Sequence, residues 1–166
     1  MSATAVTGLT VPLDLRLRIA DLYGAYADAL DDGDYEAWPE FFLGDCLYKV
    51  IPRENFERNL PIAPIYCESR GMLQDRVVAL RQTAVFAPRL VRHLVGVPRV
   101  RALDAAGIRV TASFVLFESM VDQPSQVFLC GKYHDLVVED GDALRFAEKL
   151  CVYDSTIIPT SLVYPV

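Results

Sequence analysis

The chain has 166 residues, of which 52% are hydrophobic and 23% are charged, and its formal net charge is −6. This length fits one domain with a substantial core. The excess of acidic over basic residues argues against nucleic acid as a partner, because such binding requires clustered Lys and Arg. No apolar run approaches the roughly 18 residues needed to span a bilayer, so the hydrophobic composition indicates a surface that another subunit covers.

The N-terminal sequence predicts a cytoplasmic protein with reduced thiols. Residues 1–12 are expected to form a flexible tail, followed by a single domain over residues 13–166. The tail has neither a basic region nor a long apolar stretch, which argues against a signal peptide. Free thiols are therefore expected, and their spacing matches no paired-ligand zinc pattern, at Cys46, Cys67, Cys130 and Cys151.

Hydrophobic spacing predicts a long first helix that begins at Leu13. Apolar residues recur every three or four positions and form one stripe, which consists of Ile19, Leu22, Tyr23, Tyr26 and Leu30. Gly33 follows the last turn and suits the left-handed conformation that commonly ends a helix. Asp34 can cap a second, short helix, whose apolar face contains Tyr35, Trp38, Phe41 and Phe42.

A third helix is predicted after a proline-rich segment. Residues 46–51 form a strand that ends at Pro52, and residues 62–68 form an edge strand. Ser69 caps the third helix and Pro88 closes it. Its buried stripe consists of Leu73, Val77, Leu80 and Ala84.

The second half of the chain changes from helical to extended spacing. Turn-forming residues separate four apolar, β-branched runs, which cover residues 90–103, 108–121, 126–138 and 143–154. Strands of this length must bend. Gly96, Gly131 and the break at Pro98 are the expected positions of bulges or kinks.

This order of elements predicts an α+β fold in which a curved antiparallel sheet wraps around three helices. It resembles the nuclear-transport-factor-2-like cone, also called the SnoaL-like or cystatin-like fold. That fold occurs in isomerases, dehydratases, epoxide hydrolases and structural subunits. The fold alone therefore does not decide the function.

The chain is short of ligands for iron. A Rieske cluster requires two Cys and two His, and a mononuclear oxygenase iron requires two His and a carboxylate. The two histidines are His93 and His134, and only Cys130 stands close enough to His134 to share a strand face. We therefore predict no metal and no cofactor in this chain. A phosphate-binding loop and a Gly-x-Ser-x-Gly elbow are also missing from the sequence.

An alternative is acid/base chemistry inside the cone. Tyr26 stands where ketosteroid isomerase-like proteins carry an oxyanion-binding tyrosine, but Val50 or Ile51 stands where their carboxylate base would be. A pocket that resembles scytalone dehydratase-like proteins could still use His93 with Tyr23, Tyr26 or Tyr48. This alternative describes a stand-alone isomerase or dehydratase.

Five segments together resemble the small, β-type subunits of Rieske aromatic-ring-hydroxylating dioxygenases. Their order and spacing are similar to those of the family from about residue 13 to residue 160. The segments are DYEAWPEFF at 34–42, DCLY at 45–48, ESRGMLQDRV at 68–77, RHLVG at 92–96 and YDST at 153–156.

The resemblance implies a non-catalytic subunit of an α3β3 hexamer. The Rieske [2Fe-2S] cluster and the mononuclear Fe(II) would belong to the large α subunit. NAD(P)H would be the ultimate electron donor, acting through a ferredoxin, a reductase or both. The most similar members act on monocyclic aromatic carboxylates such as terephthalate, salicylate or anthranilate, and neither nucleic acid nor membrane is an expected partner.

Charged and polar residues within the resembling segments are the candidates for subunit contacts. Arg side chains suit bidentate pairing with carboxylates across an interface. The predicted interface residues are Arg70, Asp75, Arg76, Arg92, Tyr153 and Asp154.

Overall fold

The computed structural model describes residues 10–166, in which the helices pack against one curved sheet. The helices are α1 (Leu13–Asp31), α2 (Arg53–Glu57) and α3 (Arg70–Gln82), with a 3-10 helix at Trp38–Phe41. The strands are β1 (Phe42–Pro52), β2 (Ile65–Cys67), β3 (Arg89–Val95), β4 (Arg99–Asp104), β5 (Gly107–Met120), β6 (Gln126–Asp140) and β7 (Ala143–Tyr153). The predicted tail at residues 1–12 lies largely outside the described residues.

The sheet has seven strands in the order β2-β1-β7-β6-β5-β3, and β4 pairs with the other half of β5. Strands β5, β6 and β7 form the predicted antiparallel meander. Register shifts interrupt both of their pairings, between Leu116 and Phe117 and between Leu136 and Val137. Because such bulges bend strands and increase twist, they allow these long strands to curve around α1.

Helix α1 presents the predicted stripe to the inside of the curved sheet. Its end is as expected, because Gly33 follows with a φ of 75°. Asp34 does accept a hydrogen bond from the Ala37 amide, but the predicted second helix is only the 3-10 turn at Trp38–Phe41, which has Ala37 at its N-cap and no side-chain cap. The aromatic residues after α1 pack edge-to-face, with 5.1 Å between the ring centres of Trp38 and Tyr48. Each large aromatic side chain buried here contributes about 1.5–3 kcal/mol to stability.

The structure corrects several predicted elements. Strand β1 pairs with β7 in parallel, so the sheet is not antiparallel throughout. The predicted run 90–103 is two strands rather than one, and they separate at the predicted break near Pro98, while the Gly96 amide still donates to the main-chain oxygen of Ser113 on β5. The single-turn helix α2 was not predicted, and Ala84 is exposed beyond the end of α3 rather than part of its buried stripe.

Gly131 is not at a bulge, contrary to the prediction. It pairs directly with Tyr153 of β7. A Cβ atom at this position would collide with the main-chain oxygen of Val152. The glycine is therefore required by the close approach of β6 and β7 rather than by a bend.

Residues 154–166, here called the tail segment, contain no helix or strand. The segment leaves β7 and returns to the helices, where it packs against α3 and β3. Its last two residues, Pro165 and Val166, are buried within the core of the cone.

Candidate functional site in the cone interior

A buried ion pair lies on the inner face of the sheet. Asp135 on β6 is directly opposite Lys149 on β7, and both side chains are fully buried. Lys149 Nζ lies 3.1 Å from Asp135 Oδ2. The hydroxyl of Tyr23, from α1, donates a hydrogen bond to the same oxygen. The pair therefore joins helix and sheet at the centre of the cone.

Burial shifts the pKa values of Asp135 and Tyr23. Burial raises the pKa of Asp135, and the ion pair with Lys149 and the Tyr23 hydrogen bond only partly offset this effect. Burial also raises the pKa of Tyr23 well above its usual value, and the Asp135 carboxylate raises it further. Within residues 10–166, neither Asp135 Oδ1 nor the buried Tyr133 hydroxyl has a hydrogen-bond partner. The cluster therefore keeps polar capacity that the described chain does not use.

Aromatic rings enclose the lysine. Its Nζ lies 3.5 Å from the ring centre of Tyr133, 4.5 Å from those of Tyr26 and Phe146, and 4.8 Å from that of Tyr23. A desolvated ammonium gains about 2 kcal/mol from a favourable ring face. The rings thus replace part of the hydration that Lys149 loses on burial.

A second polar group lies where the tail segment enters the cone. The Tyr26 hydroxyl donates to the main-chain oxygen of Val166 at 2.7 Å, and the Tyr48 hydroxyl lies 3.3 Å from the same oxygen. The Val166 amide donates to the Tyr48 hydroxyl at 2.8 Å. The Cys151 thiol also reaches this oxygen, and burial raises its pKa to about 12. The thiol is therefore protonated at neutral pH and unreactive while buried.

The structure divides the predicted pocket residues among three places. Tyr26 and Tyr48 meet at Val166, whereas Tyr23 belongs to the ion-pair cluster. His93 lies at the wall, where its Nδ1 is 2.7 Å from Asp31 Oδ1 and its amide donates to the same carboxylate. Its buried Nε2 has no partner in the described part of the chain. His93 is therefore not brought together with the three tyrosines.

The histidines are not arranged to hold iron. His93 faces the cone interior, whereas His134 lies on the outer face of β6, with 4.9 Å between its ring centre and that of Phe56. Over residues 10–166, no group of three or more His, Cys, Asp or Glu side chains could hold a metal ion. The ligand sets of a Rieske cluster and of a mononuclear iron therefore do not fit this chain.

Three of the predicted interface residues bond to the main chain of this subunit or lie in its core. Arg70 donates to the main-chain oxygen of Phe42, and Arg76 donates to that of Val163 at 3.2 Å. Tyr153 is buried in the core. These contacts anchor local structure, whatever else the side chains do in an assembly.

The other three predicted interface residues face outward. Asp75 is exposed on α3. Asp154 forms an ion pair with Arg53. Arg92 is 69% exposed at its side chain and lies 3.4 Å from Asp31. They lie on separate elements and do not form one patch by themselves.

Sequence reasoning missed the charged residues of the interior. Alternation along β6 places Asp135 on the same face as Tyr133 and Val137, so a strict period of two could have found it. Lys149 could not be found in this way. The register shift opposite Leu136 and Val137 inserts one extra residue into β7 and changes which side chains point inward.

Comparison with known proteins identifies the family. Residues 25–160 match the family model of the ring-hydroxylating beta subunit. The chain belongs to this family. It is 32% identical over 158 residues to the small subunit of anthranilate 1,2-dioxygenase from Burkholderia cepacia, covering 95% of this chain and 98% of that one.

Other relatives agree over nearly the whole chain. The beta 1 subunit of the terminal oxygenase component of terephthalate 1,2-dioxygenase from a Comamonas species is 32% identical, covering 90% of this chain and 97% of the relative. A crystal structure of a beta subunit assigned to an aromatic-ring-hydroxylating dioxygenase of Novosphingobium aromaticivorans superposes with a TM-score of 0.84. It is 38% identical and covers 92% of this chain and 97% of that one.

These relationships confirm two predictions. The fold is the nuclear-transport-factor-2-like cone, and the chain is the small subunit of an oxidoreductase complex. A stand-alone isomerase or dehydratase is not favoured by them. None of the helices between residues 10 and 166 has the length and apolar character to cross a bilayer.

Proposed function

We propose that this beta subunit supports the assembly of a cytoplasmic α3β3 ring-hydroxylating dioxygenase. The large α subunit carries the Rieske [2Fe-2S] cluster and the mononuclear Fe(II). Electrons from NAD(P)H reach it through a ferredoxin, a reductase or both. The observation that carries the proposal is the family match over residues 25–160.

The relatives also indicate the class of substrate. Anthranilate and terephthalate, in the names of two relatives, are monocyclic aromatic carboxylates. We infer that the complex containing this beta subunit oxygenates a substrate of the same class. The α subunit selects that substrate, because it holds the iron.

The edge strand β3 provides a surface suited to a neighbouring subunit. Its outward side chains include Leu90 and Leu94, which are 74% and 62% exposed, and Val97 follows at 76%. Arg92 lies between the two leucines on the same face. Exposed apolar residues around an arginine are typical of interface cores, where Arg is enriched. A strand at the edge of a sheet is also commonly covered by another chain.

The test is co-expression with the large subunit, followed by sedimentation and iron analysis. We expect a hexamer in which iron accompanies the α subunit, while the beta subunit purified alone contains less than about 0.1 iron per chain. Leu94→Asp should shift the hexamer towards smaller species, since it places a charge in an apolar contact. Arg92→Ala should do the same to a lesser extent, because a truncated interface pair costs about 2–5 kcal/mol only when it is buried.

Leu94→Met provides the matched control, because it keeps an apolar side chain of similar size. It should leave the hexamer intact. Circular dichroism of each free variant separates loss of assembly from loss of folding. A hexamer that survives Leu94→Asp at nanomolar concentration would exclude β3 as the interface, and stoichiometric iron in the free beta subunit would contradict the non-catalytic role.

A further inference from the structure

The tail segment is held in the cone by a series of specific contacts. Arg89 Nη1 donates to Thr160 Oγ1 at 2.7 Å and to the main-chain oxygen of Ser161 at 3.3 Å. Arg76 holds Val163. The ring of Tyr164 stacks on Tyr35, with 5.3 Å between ring centres. These contacts place Val166 in the interior of the cone, between the helices and the sheet.

At the end of this path, two phenols converge on one oxygen. Tyr26 and Tyr48 both direct hydroxyls at the main-chain oxygen of Val166. The indole of Trp38 donates to the Tyr26 hydroxyl at 3.3 Å, which strengthens that hydroxyl as a donor. Two preorganised donors on one oxygen, away from water, form the kind of arrangement that stabilises a carbonyl or an oxyanion. The main-chain oxygen of Val166 therefore occupies a position that suits a hydrogen-bond acceptor.

The surroundings favour an aromatic group next to that oxygen. Trp38 and Phe42 both pack edge-to-face against Tyr48, and Phe42 packs against Tyr26 in the same way. Flat rings fit between such walls. The Lys149 ammonium lies 4.5 Å from the ring centre of Tyr26 on the side of the adjoining ion pair. The unpartnered hydroxyl of Tyr133 and the unpartnered Oδ1 of Asp135 belong to the adjoining cluster.

We propose that the space held by Pro165 and Val166 is a ligand-binding site, closed by the chain's own tail segment. Its ligand is a small planar aromatic molecule with a phenol, phenolate or carbonyl oxygen, which binds to Tyr26 and Tyr48 in place of the Val166 oxygen. The site lies within the beta subunit and involves none of the iron chemistry. The proposed ligand-binding site does not depend on the assembly role of the subunit. Failure to bind a ligand would therefore leave the assembly role unaffected.

The experiment uses 4-nitrophenol as the probe, because its absorbance distinguishes phenol from phenolate. Binding is measured by equilibrium dialysis for the full chain, for a chain that ends at Tyr164, and for full-length Val166→Lys. An unpaired charge is not tolerated in the core, so Val166→Lys expels the tail segment without shortening it. Ile157→Lys is the matched control, because it adds the same charge to the same segment at a side chain that is 79% exposed.

We expect both opened variants to bind the probe at least about tenfold more tightly than the full chain, in which the tail segment is the competing occupant. Ile157→Lys should bind like the full chain. Adding Tyr26→Phe to the chain that ends at Tyr164 should weaken binding by about tenfold, through loss of one hydrogen bond.

Three results would contradict the proposed ligand-binding site. Opened variants that keep their circular dichroism but bind no better than the full chain would show that the space is not a ligand site. Binding that Tyr26→Phe does not change would remove the role of the two phenols. Unfolding of both opened variants would show that the tail segment is part of the core and cannot give way to a ligand.

Discussion

Two buried ion pairs in the described part of the chain, Arg89–Glu118 and Lys149–Asp135, differ in how many hydrogen bonds their carboxylates accept. Glu118 on β5 accepts hydrogen bonds from Arg89 at 2.7 Å, from Thr160 at 2.9 Å and from Gln126 at 3.2 Å. Asp135 on β6 instead leaves one carboxylate oxygen without a partner among the described residues. All four side chains are at most 4% exposed, so burial alone does not distinguish the two pairs.

The difference is one of hydrogen bonding, because within residues 10–166 both oxygens of the Glu118 carboxylate accept side-chain hydrogen bonds and only one oxygen of Asp135 does so. Arg89 and Glu118 use their hydrogen bonds to fasten the tail segment to the sheet, and little polar capacity is left over. Lys149 and Asp135 are surrounded by aromatic rings, and within the described residues one carboxylate oxygen of Asp135 makes no hydrogen bond. We call the Arg89–Glu118 pair saturated, because both carboxylate oxygens accept hydrogen bonds, and the Lys149–Asp135 pair unsaturated, because one oxygen accepts none from the described chain. An unsaturated buried pair lowers the stability of the fold, and the rest of the core must compensate for this loss.

The largest expected effect comes from removing the cation of the unsaturated pair. Lys149→Met leaves the Asp135 carboxylate buried without its cation, and it should lower the free energy of unfolding by about 3–5 kcal/mol at pH 7. Urea denaturation measures this loss. Because burial already raises the pKa of Asp135, the penalty should shrink as the pH falls and the carboxyl takes up a proton.

The double variant Lys149→Met, Asp135→Leu is the control, since it removes both charges. It should recover most of the lost stability. If the single variant lost less than about 1 kcal/mol, the pair would not be the isolated buried charge that the geometry describes.

A smaller effect is expected at the saturated pair. Glu118→Gln keeps the shape but removes the charge from three hydrogen bonds, and should cost about 1.5–3 kcal/mol. Because Thr160 and Arg89 then share an uncharged and weaker acceptor, limited proteolysis should cut the tail segment sooner. Glu139→Gln is the matched control, because the ion pair of Glu139 with Arg18 is exposed and contributes about 0–1 kcal/mol. Equal proteolysis of the two variants would contradict the fastening role.

The smallest effect concerns the tyrosine without a partner. At pH 7, Tyr133→Phe should not lower stability, since the buried hydroxyl that it removes makes no hydrogen bond in the described chain. Burial raises the pKa of Tyr133 well above its usual value. In the unfolded chain this tyrosine ionises near pH 10, so its contribution to stability is complete below that pH and is lost as the pH rises further.

Tyr133→Phe should therefore reduce the alkaline loss of stability by about 1.4 kcal/mol per pH unit above pH 10. Urea midpoints at pH 8, 10 and 11 measure this slope. Tyr66→Phe, at a half-exposed side chain on β2, should change the slope less. An unchanged slope for Tyr133→Phe would mean that this hydroxyl reaches water in the folded state.

Most of the fold could be predicted because local signals agreed with one another. The stripe from Ile19 to Leu30, the left-handed Gly33 and the cap at Ser69 each depend on residues close in sequence, and each was found in the structure. The parallel pairing of β1 with β7 depends on the path of the whole chain. No local pattern specifies it.

The interior site was less accessible to prediction. Tyr23, Tyr26 and Tyr48 could be named because aromatic residues on predicted inward faces are visible in the sequence. Lys149 required knowledge of the bulge in β7, and the contact of Tyr26 with Val166 joins residues at opposite ends of the chain. Irregular segments such as residues 154–166 have no periodicity from which their path could be read.

The parallel pairing of β1 with β7 also determines when folding can be completed. Tyr48 lies opposite Lys149 in this pairing, about a hundred residues later in the chain. During synthesis on the ribosome, one edge of β1 therefore stays unpaired until β7 has emerged. Pairing over such a long loop is slow, and exposed strand edges favour aggregation in the meantime. We expect the nascent subunit to depend on chaperones or on early docking to its partner until β7 arrives.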